Sequence, residues 1–145
     1  GLVDDFSHGT ANWGSRGKPG FKTFKFQDPE LDTSPGNKLA ITLDFKQGQE
    51  LLVELLVDGK YNTPDKNIGK YSHQSLVGGK GLQTILLETK DFKKGHSKNA
   101  NDIPLEWSNI ATFSITLTNT KTKQKINLTR VGKAGPLKRI ELVQP

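Results

Sequence analysis

Short runs in which apolar and polar residues alternate limit the fold of this chain more than any other feature. Three runs, at residues 38–45, 51–57 and 111–117, place every second residue on one apolar face. This is the period of a β-strand with one face buried. The residues expected to face the core are Leu39, Ile41, Leu43, Phe45, Leu51, Val53, Leu55, Val57, Ala111, Phe113, Ile115 and Leu117. A second apolar set at Leu52 and Leu56 predicts that residues 51–57 form a central strand covered on both sides.

Further strands are predicted at five other segments, which gives about eight in all. These segments are residues 2–6, 21–27, 82–88, 125–130 and 137–143. Glycine and proline recur along the chain, and no window keeps apolar residues at helical spacing. We therefore predict an all-β fold with two antiparallel sheets in a jelly-roll-like β-sandwich, with an open barrel as the lesser alternative. A length of 145 residues is typical of a single domain, so residues 1–145 are expected to form one.

Two connections stand out by their length and content. The segment from Asp58 to Lys80 carries both tyrosines and is predicted to be a long loop, a kind of segment that is often functional. The segment 90–107 is basic, rich in asparagine and also expected to be irregular. Its last residue, Trp107, precedes a strongly apolar strand, which predicts that the indole ring is buried.

The chain offers little material for catalysis. It has no cysteine, which excludes disulfides, thiolate zinc sites and cysteine nucleophiles. No GxSxG, HExxH or P-loop motif is present, and the three histidines show no metal-ligand spacing. An enzyme is therefore disfavoured.

Membrane insertion is not expected, because no apolar run approaches the roughly 18 to 20 residues needed to cross a bilayer. The opening GLVDDF also lacks the basic and apolar regions of a signal peptide. We expect a mature soluble domain, or one excised from a larger chain.

The charge and two mixed segments indicate a binding protein. A net charge of +6 favours an anionic partner, although a solubilising surface explains it equally well. Sugar rings stack their C–H faces on tryptophan or tyrosine, and their hydroxyls bond to charged and amide groups. Two segments combine these residue types, and the candidate ligand-binding residues are Asn12, Trp13, Arg16, Lys18, Lys60, Tyr61, Tyr71, His73 and Gln74. Two interpretations of Trp13 stay open, a ring packed into the sandwich and a ring exposed to ligand.

Nucleic acid is a weaker candidate partner. Basic and aromatic residues alternate in residues 21–26, a mixture that can stack bases and follow a phosphate backbone. Lys22 and Lys25 do not share one strand face, however, and Phe24 and Phe26 have the spacing of core residues. We rank nucleic acid well below polysaccharide.

Three segments resemble the galactose-binding-like β-sandwich carbohydrate-binding modules. They are DFSHGTANWG, the stretch from KDFKKG to WSNIATFSITL, and LKRIELV. The matching positions are Phe6, Gly9, Trp13, Asp91, Phe92, Trp107, Ile110, Ile140 and Leu142. Within this group the chain is most similar to the noncatalytic domains of marine agarases and porphyranases.

This resemblance implies a noncatalytic module that tethers an appended catalytic domain to a red-algal galactan such as agarose, porphyran or carrageenan. The module would be secreted or at the cell surface, and sulfate esters on the galactan would suit the positive charge. The family binds its ligand either on a sheet face or in loops at one edge, and the loop-like tyrosine and Trp13 segments favour the edge. A salt-sensitive polyanion or nucleic-acid binder and a structural domain that orients a catalytic neighbour stay as alternatives.

The resemblance also implies a metal, because many members hold a structural calcium with a glutamate of the first motif. This chain has Ser7 at that place. Asp5, or its neighbour Asp4, and Glu141 are the residues that would supply calcium with carboxylate oxygens in its stead. No other cofactor is expected.

Overall fold

Ten β-strands and three short 3₁₀-helices make up the regular structure of the computed structural model. It describes residues 1–7, 21–23, 25–46, 48–58, 68–76, 80–95, 103–126 and 135–145. The strands are β1 (Leu2–Asp4), β2 (Phe21–Thr23), β3 (Lys38–Phe45), β4 (Gln49–Asp58), β5 (Ile68–Leu76), β6 (Gly81–Leu87), β7 (Lys93–Lys94), β8 (Ile110–Asn119), β9 (Lys125–Ile126) and β10 (Leu137–Val143). The 3₁₀-helices are Lys25–Gln27, Thr89–Asp91 and Trp107–Asn109.

The strands form two antiparallel sheets. The four-stranded sheet has the order β1-β10-β3-β6, and the six-stranded sheet has the order β2-β8-β4-β5-β7, with β9 also paired to β8. The all-β, two-sheet prediction is confirmed, and β4 is central in its sheet as the sequence predicts. The prediction that β4 is covered on both sides is wrong, because Glu54 is exposed on its outer face and Leu52 and Leu56 are only half-buried. Within the described ranges, no helix has the length and apolar character needed to cross a membrane.

One hydrophobic core joins the inner faces of the two sheets. Every apolar residue predicted to face inward on β3 and β4 is at most 1% exposed. The same holds for Phe113, Ile115 and Leu117 of β8. Phe26 and Phe113 stack in this core with ring centroids 5.3 Å apart. Such burial is the main source of stability in a chain without disulfides.

Ala111 is the exception among the predicted core residues, because it is only half-buried. The register of β4 and β8 shifts there, so that Leu56 lies opposite Thr112 but Val57 lies opposite Ile110. Ala111 is the extra residue of this bulge, and Ile110 takes the inward place with 2% exposure. Sequence alternation alone predicts the wrong one of these two residues.

The prediction of a loop from Asp58 to Lys80 is wrong for Ile68–Leu76, which form β5. This strand pairs with β4 along its whole length. Its inward residues include Tyr71, His73 and Ser75 in place of aliphatic residues, so the apolar alternation that marks the other long strands is missing. The short β7 likewise lies in a segment predicted to be irregular. With β5 and β7 added to the eight predicted strands, the described structure has ten.

Trp107 is buried as predicted, with 2% exposure. Its indole Nε1–H donates to the backbone carbonyl of Asn37 at 2.7 Å, and Phe92 meets the ring edge-to-face at 6.2 Å. The side-chain amide of Asn37 in turn donates to the backbone carbonyl of Asp32 at 3.2 Å. The turn before β3 is thus tied to the segment before β8.

The Asp32 turn gives a prediction about acid stability. Hydrogen bonds from the Ser34 hydroxyl and backbone N–H hold the pKa of Asp32 below its usual value near 3.8. A lowered folded pKa means that this stabilisation is complete above the usual pKa and is lost as the pH falls through the folded pKa. Ser34→Ala should raise the pKa of Asp32 towards 3.8, as measured by an NMR titration of the carboxyl carbon. Ser108→Ala is the control, and an unchanged pKa in Ser34→Ala would contradict the assignment.

Candidate functional site

The outer face of the six-stranded sheet, on the side away from the core, carries a polar surface with a pocket. The residues on this face alternate along β4 with its four buried aliphatic residues. They lie opposite polar residues of β8 and β5. Neighbouring rows across β8, β4 and β5 are Thr116, Leu52 and Gln74, then Ser114, Glu54 and Ser72, then Thr112, Leu56 and Lys70. Residues directly opposite each other in antiparallel strands are about 5 Å apart at Cβ, so each row is a contiguous strip.

A pocket of about 340 Å³ opens on two of these rows. The residues that line it are Glu54, Leu55, Leu56, Lys70, Tyr71, Ser72, Gly95, Thr112 and Ser114. Six of them lie in the two outer-face rows, Glu54, Leu56, Lys70, Ser72, Thr112 and Ser114, and we call these six the sheet-face site. It combines one apolar side chain, three hydroxyls, one carboxylate and one ammonium group. Small-molecule sites usually have such a mixture, an apolar surface with a few polar groups that fix orientation.

Two threonines on this face are buried. Thr112 is 9% exposed and Thr116 is 8% exposed, although both lie on the side away from the core. Neither hydroxyl makes a hydrogen bond with any residue that the structure describes. Buried hydroxyls in native proteins are normally hydrogen-bonded. A polar molecule in the pocket would supply a partner for the Thr112 hydroxyl, which has none among the described residues.

Opposite charges lie side by side in the sheet-face site. Glu54 is exposed at the centre of the sheet and makes no ion pair with a described residue. Lys70 lies in the adjacent row, and Lys93 of β7 lies opposite Ser72. Both lysines are exposed, and neither forms a salt bridge within the described ranges. The site can therefore accept hydrogen bonds at its centre and bind an anionic group towards β7.

The three predicted ligand-binding residues that the structure describes do not act together. Gln74 is exposed on the outer face, in the row next to the sheet-face site. Tyr71 and His73 lie opposite Leu55 and Val53, on the core side of the same strand. Gln74 therefore does not share a strand face with Tyr71 and His73, because successive residues of a strand point to opposite faces. The expected loop-edge site, whose other members lie outside the described residues, stays a prediction.

Tyr71 and His73 have structural partners on the core side. The Tyr71 hydroxyl donates to the backbone carbonyl of Ile103 at 2.5 Å, and its half-buried ring packs against the core. His73 Nδ1 is 3.0 Å from the backbone oxygen of Asp91, and its ring lies 5.9 Å from that of Phe92. These contacts tie β5 to the segments around residues 91 and 103.

His73 Nε2 also contacts the hydroxyl of Ser75, a residue that sequence analysis did not select. A serine hydroxyl beside a histidine is the arrangement of a nucleophile and its base. Catalysis by such a pair also needs a substrate cavity and oxyanion donors. Neither side chain lines the sheet-face pocket. Their hydrogen bond joins two residues of β5, and the other ring nitrogen of His73 contacts Asp91.

The other predicted ligand-binding residues lie outside the described residues, and their roles stay predictions. They are Asn12, Trp13, Arg16, Lys18, Lys60 and Tyr61.

The two carboxylates expected to hold calcium have other partners. Asp5 Oδ1 accepts a hydrogen bond from the Ser7 backbone N–H at 3.0 Å, and hydrogen bonds with Ser7 hold the pKa of Asp5 below its usual range. Glu141 pairs with Arg139 at 3.3 Å. No group of three acidic, histidine or cysteine side chains that could hold a metal occurs in the described part of the chain. These side chains do not form a calcium site by themselves, and the expected calcium stays a prediction.

Sequence analysis missed the central residues of the sheet-face site. The only signals were the second apolar set on β4 and the hydroxyl residues that alternate with the apolar residues of β8. These patterns indicate which residues face outward, but they do not indicate which strands lie next to each other.

The fold and the site together define an antiparallel β-sandwich with a polar pocket on one sheet face. No family model, no curated protein and no solved structure matches this chain.

Proposed function

We propose that this protein is a noncatalytic carbohydrate-binding module that binds a galactan on the sheet-face site. The observation that carries the proposal is the buried Thr112, whose hydroxyl has no hydrogen-bond partner among the described residues, in a pocket that also presents Leu56 and Glu54. Binding on the sheet face replaces the loop-edge site that the sequence favours.

The chemistry of the pocket supports a sugar ligand. A pyranose ring has apolar C–H faces and a rim of hydroxyls, so it needs both kinds of contact in one place. Leu56 is half-buried and supplies an apolar surface, and Ser72 and Ser114 supply hydroxyls on either side of Glu54. A carboxylate accepts hydrogen bonds from sugar hydroxyls, and such charge-assisted bonds are stronger than neutral ones.

Lys70 and Lys93 favour a sulfated galactan over a neutral one. Both are exposed on the β5–β7 side of the pocket, within reach of a sulfate on a sugar bound over Glu54. The net charge of +6 adds a long-range attraction for a polyanion. Porphyran and carrageenan are therefore preferred to agarose within the proposal.

The described residues do not support the stacking of a sugar on an aromatic ring. Trp107 is buried, and the ring of Tyr71 packs on the core side. A stacking platform would have to come from Trp13 or Tyr61, so that part of the expected mechanism stays a prediction.

The proposed role is to hold an appended catalytic domain at its polysaccharide, outside the cell. Tethering raises the local concentration of the enzyme at its substrate and needs no chemistry in the module. Weak binding at a single site is sufficient for this purpose.

Charge alone is a poorer explanation of the sheet-face site. The outer face of the central strand carries Glu50 and Glu54, which oppose the phosphate backbone of a nucleic acid. A binder that recognises only polyanions would present cations at the centre of its surface. Here the two lysines beside the pocket lie to one side of Glu54.

The proposal predicts selective retention in affinity electrophoresis through gels that contain porphyran, carrageenan, agarose, alginate or heparin. We expect retardation by a sulfated galactan, with part of it surviving high salt because the hydroxyl and apolar contacts are not screened. Heparin and alginate test charge without the galactan backbone. Equal retardation by every polyanion that disappears with salt would overturn the proposal, and no retardation in any gel would leave a structural role.

A further inference from the structure

Strand β6 differs from the other edge strands of the two sheets. Among the described strands it pairs only with β3, and no other described strand lies along its second edge. The strands β1, β2, β7 and β9 have two or three residues each, and every one includes a charged residue. Strand β6 has seven residues, GLQTILL, with no charge and no proline. Proteins usually shorten or charge an open edge to prevent pairing with another chain, and β6 shows neither device.

The outer surface of β6 is also apolar. Leu82 is 69% exposed and Leu86 is 55% exposed, the highest values among the large apolar residues that the structure describes. Thr84 lies between them on the same face and its hydroxyl bonds to that of Thr42 on β3. The half-buried Ile85 packs against the core on the inner face, so an added strand would extend the core as well.

We propose that β6 pairs with β6 of a second copy of this chain, antiparallel and centred on Thr84. The sequence around Thr84 is complementary to itself in that register. Leu82 lies opposite the partner's Leu86, and Thr84 lies opposite the partner's Thr84. The pairing also sets Lys80 opposite the partner's Glu88, which brings opposite charges together at both ends.

The charged ends are available for this contact. Lys80 is exposed and forms no salt bridge with a described residue. The Glu88 side chain is 38% exposed and already lies 2.9 Å from Lys90 and 3.6 Å from Lys38, so Lys80 joins an existing cluster of opposite charges. The contact is confined to one strand and its ends, so it buries less surface than a standard interface. We therefore expect a weak dimer.

The geometry of the pair has a consequence for binding, which rests on the proposed function. Antiparallel pairing of identical strands places a two-fold axis perpendicular to the continuous sheet. The two six-stranded sheets then lie on the same side of that sheet, with both sheet-face sites pointing the same way. A polysaccharide surface could engage both sites at once and gain avidity without any new contact.

Disulfide trapping tests the register, because the chain has no cysteine of its own. An equimolar mixture of Leu82→Cys and Leu86→Cys, mildly oxidised, should give at least about tenfold more cross-linked dimer than either variant alone, since only mixed pairs are directly opposite. Thr84→Cys should cross-link with itself. Ser108→Cys, at an exposed position outside β6, measures random collision. The proposed pairing would be overturned if Ser108→Cys, or Leu82→Cys alone, cross-linked as much as the equimolar mixture.

Sedimentation equilibrium of the unmodified chain tests the dimer itself. We expect a reversible monomer–dimer equilibrium at concentrations up to about 1 mM, and its loss in the double variant Leu82→Lys, Leu86→Lys. Both leucines are exposed, so the double variant should keep the circular dichroism spectrum of the native fold. A native chain that stays monomeric, or a dimer that survives the double variant, would overturn the proposal. Neither result depends on galactan, so failure here is distinct from failure of the proposed function.

Discussion

Ser114→Arg is expected to lower the affinity for galactan by at least about 30-fold, which corresponds to about 2 kcal/mol. Ser114 is half-buried, lines the pocket and lies directly opposite Glu54. An arginine at this place would fill the pocket and pair with the Glu54 carboxylate, which removes the space and the acceptor that the ligand needs. Affinity electrophoresis with the best galactan, followed by calorimetric titration, measures the loss.

Ser108→Arg is the matched control for this variant. It adds the same charge at an exposed position in the 3₁₀-helix Trp107–Asn109, outside the pocket lining. We expect it to bind galactan as the native chain does, and both variants to keep the native circular dichroism spectrum. Native affinity in Ser114→Arg would show that the sugar binds elsewhere, and an equal loss in both variants would show that added charge is the cause.

The two-sheet fold follows from sequence because most of its strands bury one face and expose the other. The alternation along residues 38–45 predicts four residues that are all at most 1% exposed. The same alternation does not predict strand β5, because Tyr71, His73 and Ser75 stand in place of aliphatic residues on its inner face. Their polar atoms are satisfied by Ile103, Asp91 and each other, contacts that no local pattern in the sequence indicates.

The sheet-face site was not predictable for a different reason. Ser114, Glu54 and Ser72 come from three strands that are distant in sequence and become neighbours only through the order β8-β4-β5. Sequence alternation identifies an outward residue but not the residue beside it. The bulge at Ala111 adds a second obstacle, because it depends on the pairing of β8 with β4 and changes which residue enters the core.

Trp107→Ala should cause the largest loss of stability among the substitutions considered, about 3 to 5 kcal/mol. Trp107 is 2% exposed and lies in the single core cluster. Its removal would leave a cavity beside Phe92 and would deprive the Asn37 carbonyl of the indole donor at 2.7 Å. Urea unfolding followed by circular dichroism measures the change in the free energy of unfolding.

Trp107→Phe separates packing from hydrogen bonding at this position. Phenylalanine keeps an aromatic ring against Phe92 but has no N–H, so its main cost is the buried Asn37 carbonyl left without a partner, about 1 to 3 kcal/mol. A loss in Trp107→Ala that is clearly larger than in Trp107→Phe would assign most of the stabilisation to the filled core. Equal losses would assign it to the hydrogen bond that ties the turn before β3 to the segment before β8. A loss below about 1 kcal/mol in both, as for an ordinary surface position, would contradict the role of Trp107 as a core anchor.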